Sequence, residues 1–201
     1  TPEGFLPGHV LARHHVIFDY PGSRFTLARP GTVEPRGQPV SSPVQEWMGF
    51  PRIEIEVSGE KQGFLLDTGA SFTMVSIIEL DRWRAADDGL ASMTGAVGEA
   101  NMMGGPMESD ALLMRMPTLT WGPYTLRGVA AVSRPSGTFE KWMSETMTAP
   151  IVGAIGGNVL RHFRVEIDYA SGTTHLEPRT KDFSTMLDAI GLVLGETKDG
   201  N

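Results

Sequence analysis

Phe64-Leu65-Leu66-Asp67-Thr68-Gly69-Ala70-Ser71 is the stretch on which the reading of this chain turns. Three apolar residues deliver a carboxylate to the end of a buried strand, where the strand holds it rigidly. A hydroxyl follows that can brace the turn. Gly69 then removes the side chain that would keep another backbone or a substrate at a distance. Asp-Thr-Gly by itself also marks an ordinary turn after a strand.

A second stretch lies far downstream. Gly153-Ala154-Ile155-Gly156-Gly157-Asn158-Val159-Leu160 is followed by Phe163-Arg164-Val165-Glu166-Ile167-Asp168-Tyr169. Taken together and in this order, the two stretches resemble the paired signatures of the retropepsin-like aspartic peptidases, the single-lobe retroviral type found in bacteria. The resemblance runs from about Met48 to Pro178. It implies a mainly β fold, a closed β-barrel-like lobe with a flap and a few short helices. It also implies that Asp67 and Thr68 belong to the catalytic loop, and that Gly69 and Ala70 line the substrate. Thr94-Gly95-Ala96-Val97-Gly98 falls where the family carries its glycine-rich flap, so Gly95, Ala96, Val97 and Gly98 are expected to contact substrate. A flap of that kind would close over a bound peptide and exclude water.

The mechanism implied by the resemblance needs two carboxylates. Held a few ångströms apart they cannot both ionise, so the pair shares one proton. One acid then activates a water while the other protonates the scissile carbonyl. Asp67 supplies one acid, and a second lobe must supply the other, either from a second copy of this chain in a homodimer or from the missing upstream repeat. Thr68 has no base near it in sequence and is read as a brace, not a nucleophile.

The start of the chain repeats its downstream signature. At an offset of 149 (Asp168 minus Asp19), Gly4, Gly8, Val10, Leu11, Val16, Asp19, Tyr20 and Leu27 meet identical residues, eight over the 24 positions from Gly4 to Leu27. Pro7 and His9 stand where Gly156 and Asn158 stand downstream. The expectation is a tandem lobe of which residues 1–30 are the C-terminal remnant, folded as a hairpin that joins the sheet of its repeat-mate, Val165–Leu176, with approximate two-fold symmetry. On this reading Thr1 is a doubtful natural start. Residues 31–47, rich in proline and glycine, read as a linker, extended or disordered. Residues 48–201 read as a complete lobe with a C-terminal helical extension around Phe183, Met186, Leu187 and Ile190.

Within that lobe Arg52–Val57 alternates, with Ile53, Ile55 and Val57 inward, and Ser58-Gly59-Glu60-Lys61 turns into the strand that ends at Asp67. Ser76-Ile77-Ile78-Glu79 has the form of a capping box opening a short helix through Trp83. Strands are expected near Ala111–Met116, Thr118–Trp121 and Thr125–Val132, with Gly122-Pro123 turning a hairpin. Phe139, Trp142, Met143 and Met147 recur at helical spacing, and Asp19-Tyr20 and Asp168-Tyr169 end strands with the phenol tips outward.

Composition narrows the alternatives. A formal net charge of −7 over 201 residues argues against nucleic acid or an anionic membrane surface as partner. No apolar run has the length of a membrane span. There is no cysteine, which removes disulfides, thiol nucleophiles and cysteine–zinc sites and is compatible with an exported or periplasmic protein. No metal is expected: His14 and His15 are strand neighbours pointing to opposite faces, and His9, His162 and His175 lack partners at ligand spacing. No cofactor is expected either, because Gly153–Gly157 lacks the Lys-Ser/Thr of a phosphate loop and the spacing of a dinucleotide fingerprint. Two functions remain: an endopeptidase with paired aspartates acting on peptide or protein, or an inactive module of the same fold that binds peptides or a partner.

Overall fold

The structure is a computed structural model, and it describes residues 6–45, 47–97 and 108–179. The chain opens with a one-turn helix α1 (Gly8–Leu11) and the hairpin β1 (His15–Asp19) and β2 (Arg24–Ala28). Strands β3 (Gln38–Ser41) and β4 (Val44–Gln45) follow, then β5 (Phe50–Val57), β6 (Glu60–Leu66) and β7 (Thr73–Ser76). Helix α2 (Ile77–Ala86) leads to β8 (Ser92–Val97), β9 (Glu108–Arg115), β10 (Leu119–Trp121), β11 (Tyr124–Leu126) and β12 (Ala130–Arg134). A π-helical turn at Thr138–Met143 runs into α3 (Ser144–Met147). The last described elements are β13 (Gly153–Ile155), α4 (Gly157–Leu160), β14 (Phe163–Asp168) and β15 (Thr173–Pro178).

The protein is mainly β. One sheet runs β11-β10-β5-β6-β13-β7-β12-β9-β8, with β4 added beside β5, and a second runs β2-β1-β14-β15-β3. Among the described residues the larger sheet is linear in its pairing, from β11 to β8, with no ladder joining those two ends. Both sheets contribute to one main core. Ile53, Ile55 and Val57 of β5 meet Phe64, Leu66, Trp121, Phe163, Val165, Ile167 and Leu176 there, with Leu80 and Trp83 from α2. The alternation expected along β5 is present, with those three residues buried and Glu54 and Glu56 exposed.

Local chemistry explains the turns. Ser58 and Gly59 both have positive φ, so the β5–β6 connection is a two-residue loop whose twist suits the flanking strands. Glu60 and Lys61 already belong to β6. Gly122, at φ +57°, begins the equivalent two-residue loop between β10 and β11. The single strand expected over Thr125–Val132 is two, β11 and β12, parted around Gly128, whose positive φ breaks the ladder. Ser76 caps α2 by accepting from the Ile78 N–H, but Glu79 does not complete a capping box: its carboxylate goes to Gln62 and Arg82. Phe139, Met143 and Met147 are buried as their spacing indicates, whereas Trp142 points outward.

Residues 31–47 hold more structure than a free linker. β3 pairs antiparallel with β15, and Ser42 and Thr174 share a buried hydroxyl–hydroxyl hydrogen bond of 2.7 Å. Proline-rich composition hid this, because an edge strand tolerates a residue without an N–H. Pro39 sits there, opposite His175. The C-terminal helical extension, and Gly98, lie outside the described residues.

The first elements repeat the last ones. Helix α1 and α4 coincide at an offset of 149 (157 minus 8). The hairpins coincide too, since Val16 faces Leu27 in one and Val165 faces Leu176 in the other. The two units join through β1 and β14, whose pairing centres on Ile17 opposite Glu166. Those two residues are counterparts at the same offset, so a local two-fold axis passes between them.

Candidate active site

Asp67 stands one residue beyond β6, and its position is fixed by the strand on either side of the gap it borders. β6 and β7 are joined by residues 67–72, yet they do not pair with each other. β13 lies between them, parallel to β6 and antiparallel to β7. Its close fit depends on missing side chains. A Cβ at Gly153 would lie 2.4 Å from the Met74 carbonyl oxygen, and one at Gly156 would lie 2.4 Å from that of Phe72. The Asp67 N–H donates to the Ile155 carbonyl at 3.0 Å, tying the base of the loop to β13.

The carboxylate is held by the loop itself. Asp67 Oδ1 accepts from the Gly69 N–H at 3.0 Å and the Ala70 N–H at 3.1 Å. Burial pushes its pKa above the ordinary carboxylate value, and the two backbone donors counteract part of that rise. An acid with a raised pKa, aimed from a rigid strand end, keeps its proton to a higher pH than an ordinary carboxyl and so can both hold and release it. The Thr68 side chain is half-buried and makes no side-chain hydrogen bond among the described residues. Gly69 is exposed and Ala70 half-buried beside it.

The far side of the loop is held by Asn158. Its Oδ1 accepts from both the N–H and the hydroxyl of Thr73, at 2.8 and 2.9 Å, and its Nδ2 donates to the Ala130 carbonyl at 2.8 Å. The Gly157 and Asn158 N–H groups donate to the Ala70 and Ser71 carbonyls. The start of α4 therefore closes the Asp67 loop from below. Sequence reading placed Asn158 in the downstream signature without giving it this task; an amide flanked by two glycines and buried hydrophobics was the available sign.

Tyr20, expected to cover the core edge at a strand end with its phenol tip outward, does pack against the main core, but its phenol is largely buried. Burial, then the nearby Asp67 carboxylate, raises its phenol to about 12. Its counterpart Tyr169 is raised to about 12 by burial alone. The N-terminal hairpin thus brings a protonated phenol into the field of the Asp67 carboxylate.

The structure groups Asp67, Thr68, Gly69 and Ala70 in one loop. Gly95, Ala96 and Val97 lie elsewhere, on β8 at the edge of the large sheet, paired with β9 across a register shift between Gly95 and Val97. A Cβ at Gly95 would meet only Leu113 at 3.7 Å, so the fold does not itself demand glycine there. A separate cleft of about 410 Å³ opens between Ile77, Ser109, Asp110, Ser133 and Arg134, and no residue of the Asp67 loop lines it.

No protein-family model matches this chain, and no curated protein matches it. Among solved structures it is similar to one described as a retropepsin-like aspartic protease from Rickettsia conorii. That match has 15% identity and a TM-score of 0.45, covering 71% of this chain and 96% of the other.

Proposed function

We propose that this chain carries one half of the active site of a retropepsin-like aspartic endopeptidase. The single observation behind the reading is the Asp67 carboxyl, held by two backbone N–H groups at a strand end and driven by burial toward its protonated form. In this reading a second lobe brings another strand-end carboxylate against Asp67. The two share a proton; one draws a proton from a water, which attacks the peptide carbonyl, while the other protonates the carbonyl oxygen. Thr68 braces the two loops against each other, and Gly69 and Ala70 leave room for peptide backbone. The Gly95–Gly98 segment closes over the substrate. The substrate class is peptide or protein, with no cofactor required.

A binding module without cleavage is the second reading, and the N-terminal unit favours it. His9 stands at the position of Asn158, and Pro7 at that of Gly156, where a Cβ would collide with the Phe72 carbonyl. A sister lobe closed by that unit cannot hold its own loop in the way Asn158 holds the Asp67 loop.

Asp67→Asn separates the two. The substitution keeps shape and hydrogen-bond acceptance but removes the general base. Under the first reading, cleavage of a peptide library from acid to neutral pH disappears. Cleavage at the parent's rate would reject the aspartic mechanism, and, in a polypeptide that carries both lobes, unchanged peptide binding without cleavage by either the parent or the variant would establish the module.

A further inference from the structure

The helix and hairpin that open the chain show an apolar face that the described molecule covers only in part: Val16 is buried and Phe18 packs against the main core, but the rest of the face is open. Leu6, Phe25 and Leu27 are 45%, 48% and 42% exposed. Their counterparts at the offset of 149 are Ile155, Thr174 and Leu176, each 0% exposed. Ile155 lies in β13 between β6 and β7, and Leu176 lies in the main core. Phe18, beside Phe25 at a ring separation of 5.1 Å, is half-buried where its counterpart Ile167 is buried. The same unit is therefore sealed at one end of the molecule and bare at the other.

We infer that the bare face docks a second lobe of the same architecture, one that precedes residues 7–28 on the same polypeptide and uses them as its own closing helix and hairpin. This rests on the peptidase reading for the fold of the partner, but its argument is the packing. The face needs an occupant with the surfaces that cover Ile155, Val165, Ile167 and Leu176, namely a strand-end loop and a half-barrel of apolar strands. A second copy of this chain does not fit. Such a copy already has its own α4, β14 and β15 in that place, and the free edge of β14 is taken by β1. Docking about the axis through Ile17 and Glu166 sets the second lobe's strand-end loop against α1, as the Asp67 loop lies against α4. The Met48–Gly49 turn now rests on Gly8, where a Cβ would lie 2.6 Å from the Met48 carbonyl, and is the segment that would move aside.

The 201 residues hold no cysteine, and any in the longer polypeptide are first replaced by serine, so each variant has a single thiol. Leu27→Cys and Phe25→Cys place single thiols on the bare face, and Arg24→Cys places a control on the opposite face of β2. Labelling with a maleimide is followed in the 201-residue chain and in the polypeptide translated from the whole reading frame that encodes it. In the 201-residue chain both thiols should react fast, at a rate independent of protein concentration. In the longer polypeptide they should slow on the order of tenfold or more, as burial requires opening before reaction, while the Arg24→Cys control is unchanged. A reading frame with no lobe upstream overturns the inference, as do thiols equally reactive in both proteins. Protection that grows with concentration of the 201-residue chain overturns it in favour of a second copy. No step depends on cleavage, so a lobe that docks without an acid would uphold this inference while the peptidase reading failed.

Discussion

Residues 7–28 and residues 156–177 form the same helix and hairpin, with the same strand register, in two different settings. The downstream unit is embedded: Val159, Leu160, Val165, Ile167 and Leu176 are all in the main core, and Asn158 grips the Asp67 loop. The upstream unit is attached mainly along β1, with Gly8 against the Met48–Gly49 turn and Tyr20 against the main core. Val16 and Ile17 are buried by that attachment, but β2 overhangs with Phe25 and Leu27 in solvent, and His9 holds nothing comparable to the loop that Asn158 holds. The difference teaches that strand pairing and turn chemistry can hold a unit's shape without a core enclosing it on every side. Burial, not local geometry, distinguishes the two.

Attachment of the upstream unit centres on Glu166, whose carboxylate is fully buried. It accepts from the Arg36 N–H at 2.8 Å, meets His15 Nε2 at 3.0 Å, and pairs with Arg164 on its own strand. One side chain thereby joins the hairpin, the crossing segment and the lobe. Glu166→Ala removes the acid and leaves those groups buried together, so we expect a loss of about 3–5 kcal/mol in urea unfolding. A loss under about 1 kcal/mol, typical of an exposed pair, would show that the hairpin merely drapes over the sheet. The comparison would then break at its centre.

Leucines at equivalent positions give the next effect. Leu176→Ala should cost about 2–5 kcal/mol, because it leaves a cavity in the main core. Leu27→Ala should stay within about 0.5 kcal/mol in the same chain, as solvent already reaches the side chain. Equal losses, measured by urea titration, would mean that the upstream face is covered in solution.

How much could be read from sequence follows from the range of each interaction. The Asp67 loop, the alternation of Ile53, Ile55 and Val57, and the turn at Ser58-Gly59 depend on neighbours in the chain and were legible. The two-fold pairing of β1 with β14 was legible only because the sequence repeats. β13 between β6 and β7 was not, since its parallel partner Phe64–Leu66 lies far away in sequence and no local pattern encodes such a pairing. β3 was hidden for a related reason: the free edge of β15 makes Gln38–Ser41 a strand, against a composition that reads as linker. Tyr20 comes under the charge of the Asp67 carboxylate through tertiary packing alone, and periodicity carries no trace of that.

Asn158 and His9 sharpen the comparison where it touches the site. Asn158→Ala deletes three hydrogen bonds and strands the buried Thr73 hydroxyl and N–H, for an expected cost of about 1–3 kcal/mol. Any peptide cleavage should fall with it, since the Asn158 side chain no longer ties α4 to Thr73 at the far end of the Asp67 loop. His9→Ala, at the matching but exposed position of α1, should change stability by no more than about 0.5 kcal/mol. A comparable effect of both substitutions on thermal unfolding would mean that α1 also supports a loop in this chain.

The smallest expected effect concerns the charge on Asp67 and its dependence on pH. Burial raises the folded-state pKa of Asp67 above its ordinary 3.8, so folding favours the protonated carboxyl. The sign follows by linkage: this contribution to stability is fully present below the unfolded-state value and is lost as pH rises through the raised folded-state value. At neutral pH the chain therefore bears the cost of a partly desolvated charge. Asp67→Asn cannot ionise, and its side-chain oxygen can still accept from the Gly69 and Ala70 N–H groups. The variant should melt above the parent at pH 7, and the gap should close as the pH falls toward and below 3.8. The downstream loop would then carry a functional charge at the expense of stability, which the exposed upstream unit does not. A variant that melts below the parent at pH 7, with the gap closing in acid, would show that the two backbone donors outweigh burial and that the carboxylate is stabilised as an anion.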